Sequence, residues 1–178
     1  MELNLRTVVG LVEKVIRERG ESYVYTEEDC YKQSPSCVNV LFDFEYPFTG
    51  FYPNDKSNKT NFRPGCIVGS AALATGLMDM DWFFENNLND SVYGSVLEGI
   101  AREFDVKNTR LARNFLGYCQ ERQDSHVGYT WKQAYDYAWE NVLRFPLNGL
   151  YLDQDDLEYV QECFGKFRPE EENVAVIS

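Results

Sequence analysis

Leu5, Val8, Val9, Val12, Val15 and Ile16 recur at three- and four-residue steps, with Glu13, Lys14, Arg17 and Glu18 between them. That period predicts an amphipathic helix closed by Gly20. The spacing then shortens. Tyr23-Val24-Tyr25 and Cys37 to Phe44 are β-prone, and together predict a small antiparallel hairpin packed on the first helix. Further on, the segment CIVGSAALATG predicts a short buried helix stopped by Gly76. Its Gly69, Ser70, Ala71, Ala72 and Ala74 permit close backbone approach.

Residues 81–88 predict one further turn. Ser91 is placed to cap a helix whose apolar positions are Val92, Val96, Leu97, Ile100 and Phe104. Another helix starts at Asn108 or Thr109 and carries Leu111, Ala112, Phe115, Leu116 and Cys119. Thr130-Trp131-Lys132-Gln133 has the spacing of a capping box, opening a helix with Trp131, Ala134, Tyr135, Ala138, Trp139, Val142 and Leu143 on one side. Pro146 ends that helix, and Asp153 caps a last one with Leu157, Val160 and Phe164 inward. The expected fold is α+β and predominantly helical: five to six helices with a small antiparallel sheet of two or three strands. Residues 1–168 are expected to form one globular domain and 169–178 a disordered acidic tail.

One stretch resists the periodicity. From Tyr46 to Gly65 the chain is rich in Pro, Gly, Asn, Asp and Lys, long for a structureless loop in a compact domain, and such loops tend to be functional. Phe48, Phe51, Tyr52 and Phe62 sit in it among Lys56, Lys59 and Arg63. Aromatic side chains supply much of the energy of protein interfaces, so these four are the candidate partner-binding anchors.

Charge narrows the function classes. The formal net charge of −12 argues against direct contact with nucleic acid or an anionic membrane, because phosphates demand clustered Lys and Arg. No apolar run is long enough for a membrane span. The N-terminus lacks the apolar core of a secretory signal, and five widely spaced cysteines do not form a disulfide framework. A cytoplasmic protein with reduced thiols is expected, and the glycosylation-like triplets at Asn58 and Asn89 are then coincidental. Seven carboxylates against Arg102 alone between Met78 and Asp105 face a basic run of Lys107, Arg110, Arg113 and Arg122, which favours packing of those two helices side by side.

Catalytic chemistry finds few candidates. His126 is the single histidine, and its neighbours Asp124 and Ser125 are adjacent in sequence rather than converging from separate elements. Cys30 and Cys37 lack knuckle spacing for a structural metal. Gly65-x-x-x-Gly69-Ser70 lacks the lysine of a phosphate loop. No catalytic residue, cofactor or metal is expected. The alternative kept open is a small-molecule site or enzyme pocket around Cys66, Arg63 and Gly69, with Cys66 near a helix N-terminus. A third possibility is mimicry of DNA by ordered rows of carboxylates.

Two segments, PGCIVGSAALATGL and Cys119-Gln-Glu-Arg-Gln-Asp124 followed by Thr130-Trp131 and Ala134, are similar to elements of small accessory proteins of actinobacterial phages, particularly mycobacteriophages. Order and approximate spacing agree over most of residues 1–145. The chain departs from that pattern at Cys119, where Ala is usual, and in its longer aromatic loop. The resemblance implies an accessory protein in an infected bacterial cytoplasm and carries no catalytic residues with it. Gln120, Gln123 and Asp124 are expected to brace the following linker and hold Trp131 in place. The leading expectation is a non-enzymatic protein that binds and modulates a host protein, with homo-oligomerisation open.

Overall fold

The computed structural model describes residues 2–25, 38–42, 62–89, 91–125, 128–144 and 153–167. Seven helices lie among them: α1 (Leu5–Arg19), α2 (Ile67–Ala74), α3 (Met80–Glu85), α4 (Tyr93–Phe104), α5 (Arg110–Gln123), α6 (Trp131–Arg144) and α7 (Gln154–Phe167). Four short strands accompany them: β1 (Glu2–Leu3), β2 (Val40–Phe42), β3 (Phe62–Pro64) and β4 (Lys107–Asn108). The predominantly helical α+β expectation holds. The additional helix is α3, a short element capped by the Asp79 side chain.

Three helix signals read from the pattern are realised. Gly20 ends α1 with φ +98°, a conformation that suits a residue without Cβ. Thr109 caps α5 through its side chain. The capping box of α6 is reciprocal: Gln133 N–H donates to Thr130 Oγ1 at 3.1 Å, and Thr130 N–H donates to Gln133 Oε1 at 2.9 Å.

Strand pairing departs from expectation. Val40–Phe42 pairs antiparallel with Phe62–Pro64, in register Val40 to Pro64 and Phe42 to Phe62, and not with Tyr23–Tyr25. Val24 instead bridges Thr130, while the Tyr25 hydroxyl meets the Val38 backbone. The loop read from Tyr46 to Gly65 thus ends in a strand. The physical reason lies at Gly65 and Gly69, which seat the lead-in to β2 against α2 and leave its edge facing residues 62–64. β1 and β4 form a separate parallel pair, too short to leave a period in the sequence.

α5 and α6 form the most extensive helix pair, α1 packs on α2 and α5, and α2 is central to the bundle, touching α1, α4 and α5. The core between them contains Trp131, Trp139, Phe83 and Phe115, all below 2% exposed. Phe115 meets Trp139 edge-on at 5.5 Å and Tyr135 at 5.7 Å, geometries that suit aromatic quadrupoles. Val92, expected to point inward, is 57% exposed, because it occupies the extended cap position before α4 rather than its first turn. On α7 the inward positions among the described side chains are Asp156, Val160 and Cys163, Leu157 is only half-buried, and the Phe164 side chain lies outside them.

The Cys119-to-Asp124 element has a duty that was not expected, while residues 126–127 of the linker it was expected to brace lie outside the described residues. Gln123 Oε1 accepts from Ile67 N–H at 2.7 Å, and Gln120 Oε1 accepts from Tyr93 N–H at 2.9 Å. One end of α5 therefore supplies acceptors to the first turns of two other helices, α2 and α4. Ser91, expected to cap α4, gives way to Val92, which makes no side-chain cap, and Gln120 fills the need from across the interface. Trp131 is held by its backbone N–H donating to Tyr23 O at 2.9 Å and by the edge-on Tyr23 ring at 4.8 Å. The acidic and basic helices α4 and α5 pack together as expected, with Arg113 4.0 Å from Glu98 on their exposed sides.

Candidate partner-binding surface

Phe48, Phe51 and Tyr52, three of the four anchors named from sequence, lie outside the described residues, as do His126, Cys30 and Cys37. Phe62 opens β3 opposite Phe42. The remaining named chemistry is around Cys66.

Cys66 is fully buried and already employed. Its Sγ accepts from Gly69 N–H at 3.4 Å, capping α2, and donates to Asn39 Oδ1 at 3.3 Å. A Cβ added at Gly65 would stand 2.2 Å from Val38 O, and one at Gly69 2.2 Å from Asn39 O. Backbone therefore fills the space beside the thiol. Asn39, 0% exposed, shares its side-chain amide among the carbonyls of Leu88, Asn89 and Ser91 at 2.8, 3.2 and 2.9 Å. Its backbone receives Gly65 N–H, and Asn89 Oδ1 receives Val40 N–H at 2.7 Å. This is a closed latch joining β2, α2 and the turn before α4, with donors and acceptors matched. The buried Cys119 thiol is held protonated by burial, which quenches nucleophilicity. No group of three or more potential metal ligands occurs among the described residues.

The solvent side of α4, α5 and α6 has the opposite character. Tyr118 and Tyr137 meet edge-on at 6.3 Å. The Tyr93 ring lies over Gly117, where an added Cβ would stand 2.7 Å from it. Arg122 lies over the Tyr129 ring at 3.5 Å and over Tyr137 at 4.9 Å. All four tyrosines and Arg122 are half-buried. The Tyr137 hydroxyl reaches Glu121 Oε1 at 3.5 Å, and Tyr118 resists ionisation because of partial burial and the nearby Glu121 charge. Four phenol rings therefore share one face with a cation seated on two of them.

Arg122 decides the character of this face. Its Nε is buried without a hydrogen-bond partner. An unsatisfied buried donor costs about 1–3 kcal/mol. Two cation–π contacts return roughly 0.5–1 kcal/mol each at a partly exposed site. The two nearly cancel, so the collar holds the guanidinium in place without satisfying it. The contrast with Arg6 is plain, since that guanidinium is bound by both Glu162 oxygens at 2.8 Å.

A groove of about 510 Å³ runs between α1 and α6, lined by Glu13, Ile16, Arg17, Glu21, Lys132 and Tyr135. Tyr135 donates its hydroxyl to Glu13 at 2.6 Å and is held protonated by burial. Lys132 is drawn to Asp136 at 2.5 Å.

No known protein family, characterised relative or solved structure matches the chain. Its own geometry is therefore the basis for any functional reading. Sequence reasoning passed over Tyr93, Tyr118, Tyr129 and Tyr137. The usable signal was that Tyr118 and Tyr137 fall off the apolar stripes of their helices, where a large ring is not required for the core.

Proposed function

We propose that this chain is a non-enzymatic binding protein that docks on another protein through the tyrosine face of α4, α5 and α6. The observation that carries the reading is Arg122 seated on Tyr129 and Tyr137, with Tyr118 edge-on to Tyr137. Tyr and Arg are the side chains most enriched where interface energy concentrates. They offer large contact area with few rotors to freeze. The net charge of −12 then favours a partner whose surrounding surface is basic. The saturated hydrogen bonding around Cys66 and the protonated Cys119 thiol are consistent with a chain that binds rather than reacts.

The resemblance to accessory proteins of actinobacterial phages favours a host cytoplasmic protein as the partner. No helix among the described residues is long and apolar enough to cross a membrane. The aromatic loop with Phe48, Phe51, Tyr52 and Phe62 remains the second proposed contact. A small-molecule role is the alternative, and the α1–α6 groove favours it more than Cys66 does, because its volume falls within the usual range for ligand sites.

The test is affinity capture from actinobacterial lysate with three baits: wild type, Tyr118→Ala/Tyr137→Ala, and Phe48→Ala/Phe51→Ala/Tyr52→Ala. A partner held by wild type and lost from the tyrosine variant supports the reading, provided circular dichroism shows the helices retained. Equal recovery on wild type and tyrosine variant, or none on either, rejects it.

A further inference from the structure

We infer that Arg122 is a receptor for a single carboxylate presented by the partner, an inference that rests on the docking role of the tyrosine face. The guanidinium is fixed by its position over Tyr129 at 3.5 Å and Tyr137 at 4.9 Å. Its Nε is shielded and unpartnered, whereas the terminal amino groups are not among the buried unpartnered atoms. No carboxylate among the described residues forms an ion pair with it. Arg6 and Arg113, by contrast, have Glu162 and Glu98. A planar guanidinium with its faces against rings presents its edge, and that edge matches the two oxygens of a carboxylate in one plane. The rings have already removed the rotamer freedom that binding would otherwise cost.

Two features select a carboxylate over a phosphate. Glu121 is the next residue, with Tyr137 O–H directed to it at 3.5 Å, so a second negative charge on the ligand would be repelled at close range. The field of a chain with net charge −12 doubles that penalty for a dianion. The occupant is an Asp or Glu side chain, or a chain-terminal carboxylate. It is accompanied on the partner by a basic group that answers Glu121. This positive centre beside a negative charge is a pattern that a uniformly basic polymer does not match.

The full-length protein with labelled arginine tests this directly, because shielding of Nε slows its proton exchange and makes the Arg122 Nε–Hε resonance a reporter. The resonance is assigned by its loss in Arg122→Lys. Titrants are acetate, N-acetyl-glutamate amide and inorganic phosphate at matched ionic strength, followed by acidic peptides with free or amidated C-termini. The expected result is a saturable shift confined to Arg122, with both carboxylates at least about fivefold tighter than phosphate. Peptides with free and amidated ends separate the terminal from the side-chain source. Arg122→Lys, which keeps the charge but not the fork, should weaken peptide binding by about fivefold or more. Phosphate binding as tightly as acetate, shifts spread over all arginines, or unaltered affinity in Arg122→Lys would each overturn the inference. Carboxylate binding without any captured protein would reject the docking role and keep the receptor. A captured partner indifferent to Arg122→Lys would do the reverse.

Discussion

The latch around Asn39 and the face around Arg122 are both polar clusters, and they handle unsatisfied groups in opposite ways. At the latch, one Asn side chain serves three carbonyls and a thiol at 0% exposure. Two glycines let backbone close over it. At the face, a guanidinium is immobilised by rings but its Nε has no acceptor. Within a core an unmatched group drains stability, so selection for folding completes the network. At the face it is the terminal amino groups, and not the shielded Nε, that another molecule would engage. The latch closes on itself, whereas at the face a cation held rigidly by rings lies at the surface.

The comparison breaks most visibly at the latch. Gly69→Ala drives a Cβ into Asn39 backbone, and Asn39→Leu strands three carbonyls. Each should cost about 3 kcal/mol or more, read as a large drop in thermal midpoint or loss of the folded state. A Gly69→Ala protein that melts within a few degrees of wild type would mean that β2 does not lie against α2 as described.

Next in size are the acceptors reaching from α5. Gln123→Leu and Gln120→Leu remove the partners of Ile67 N–H and Tyr93 N–H, and should cost about 1–2 kcal/mol each by chemical denaturation. Unchanged midpoints would show that solvent caps α2 and α4 equally well.

Asp156 supplies a pH-dependent case. Its carboxylate is 1% exposed and accepts Leu5 N–H at 2.7 Å at the start of α1. Burial, its largest influence, raises its pKa above the ordinary 3.8, outweighing the hydrogen bonds from Thr109 and Leu5 that favour the anion. Folding thus takes up a proton. The stabilising share of the protonated acid is complete below the unfolded value and fades as pH rises through the folded one. Asp156→Asn removes that loss while keeping an acceptor. Its stability relative to wild type should therefore rise in thermal scans as pH increases above the ordinary carboxylate value of 3.8. A gap that stays flat or moves the other way contradicts the burial argument.

The smallest stability effect belongs to the face, and there the comparison sharpens. Tyr118→Ala with Tyr137→Ala should shift stability by about 1 kcal/mol or less while abolishing partner capture. A loss of stability like that at the latch would make those rings core residues and remove the docking surface.

Periodicity located every long helix, because burying one stripe per helix imposes a 3.6-residue repeat that any folded version must display. Local caps were equally legible: the Thr130–Gln133 box and the Gly20 stop are satisfied by residues a few positions apart. The small-residue segment announced close packing as well, though not what would approach it. Pairing of β2 with β3 was hidden, since three-residue strands carry no register of their own. The α5 glutamines looked like linker braces because their partners lie 27 and 56 residues away. Arg122 read as one more basic residue.

The sequence by itself determined where the long helices lie, the caps at Gly20, Thr109 and Thr130, and the net negative charge, all set by contacts within a turn or by composition. Only the tertiary structure decided that Asn39 closes over Gly65 and Gly69, that α5 feeds two foreign helix ends, and that Tyr129 and Tyr137 stack on Arg122 with Tyr118 and Tyr93 on the same face. Those outcomes depend on which faces meet, and interhelical geometry comes from the packing of the whole core rather than from any local run of residues.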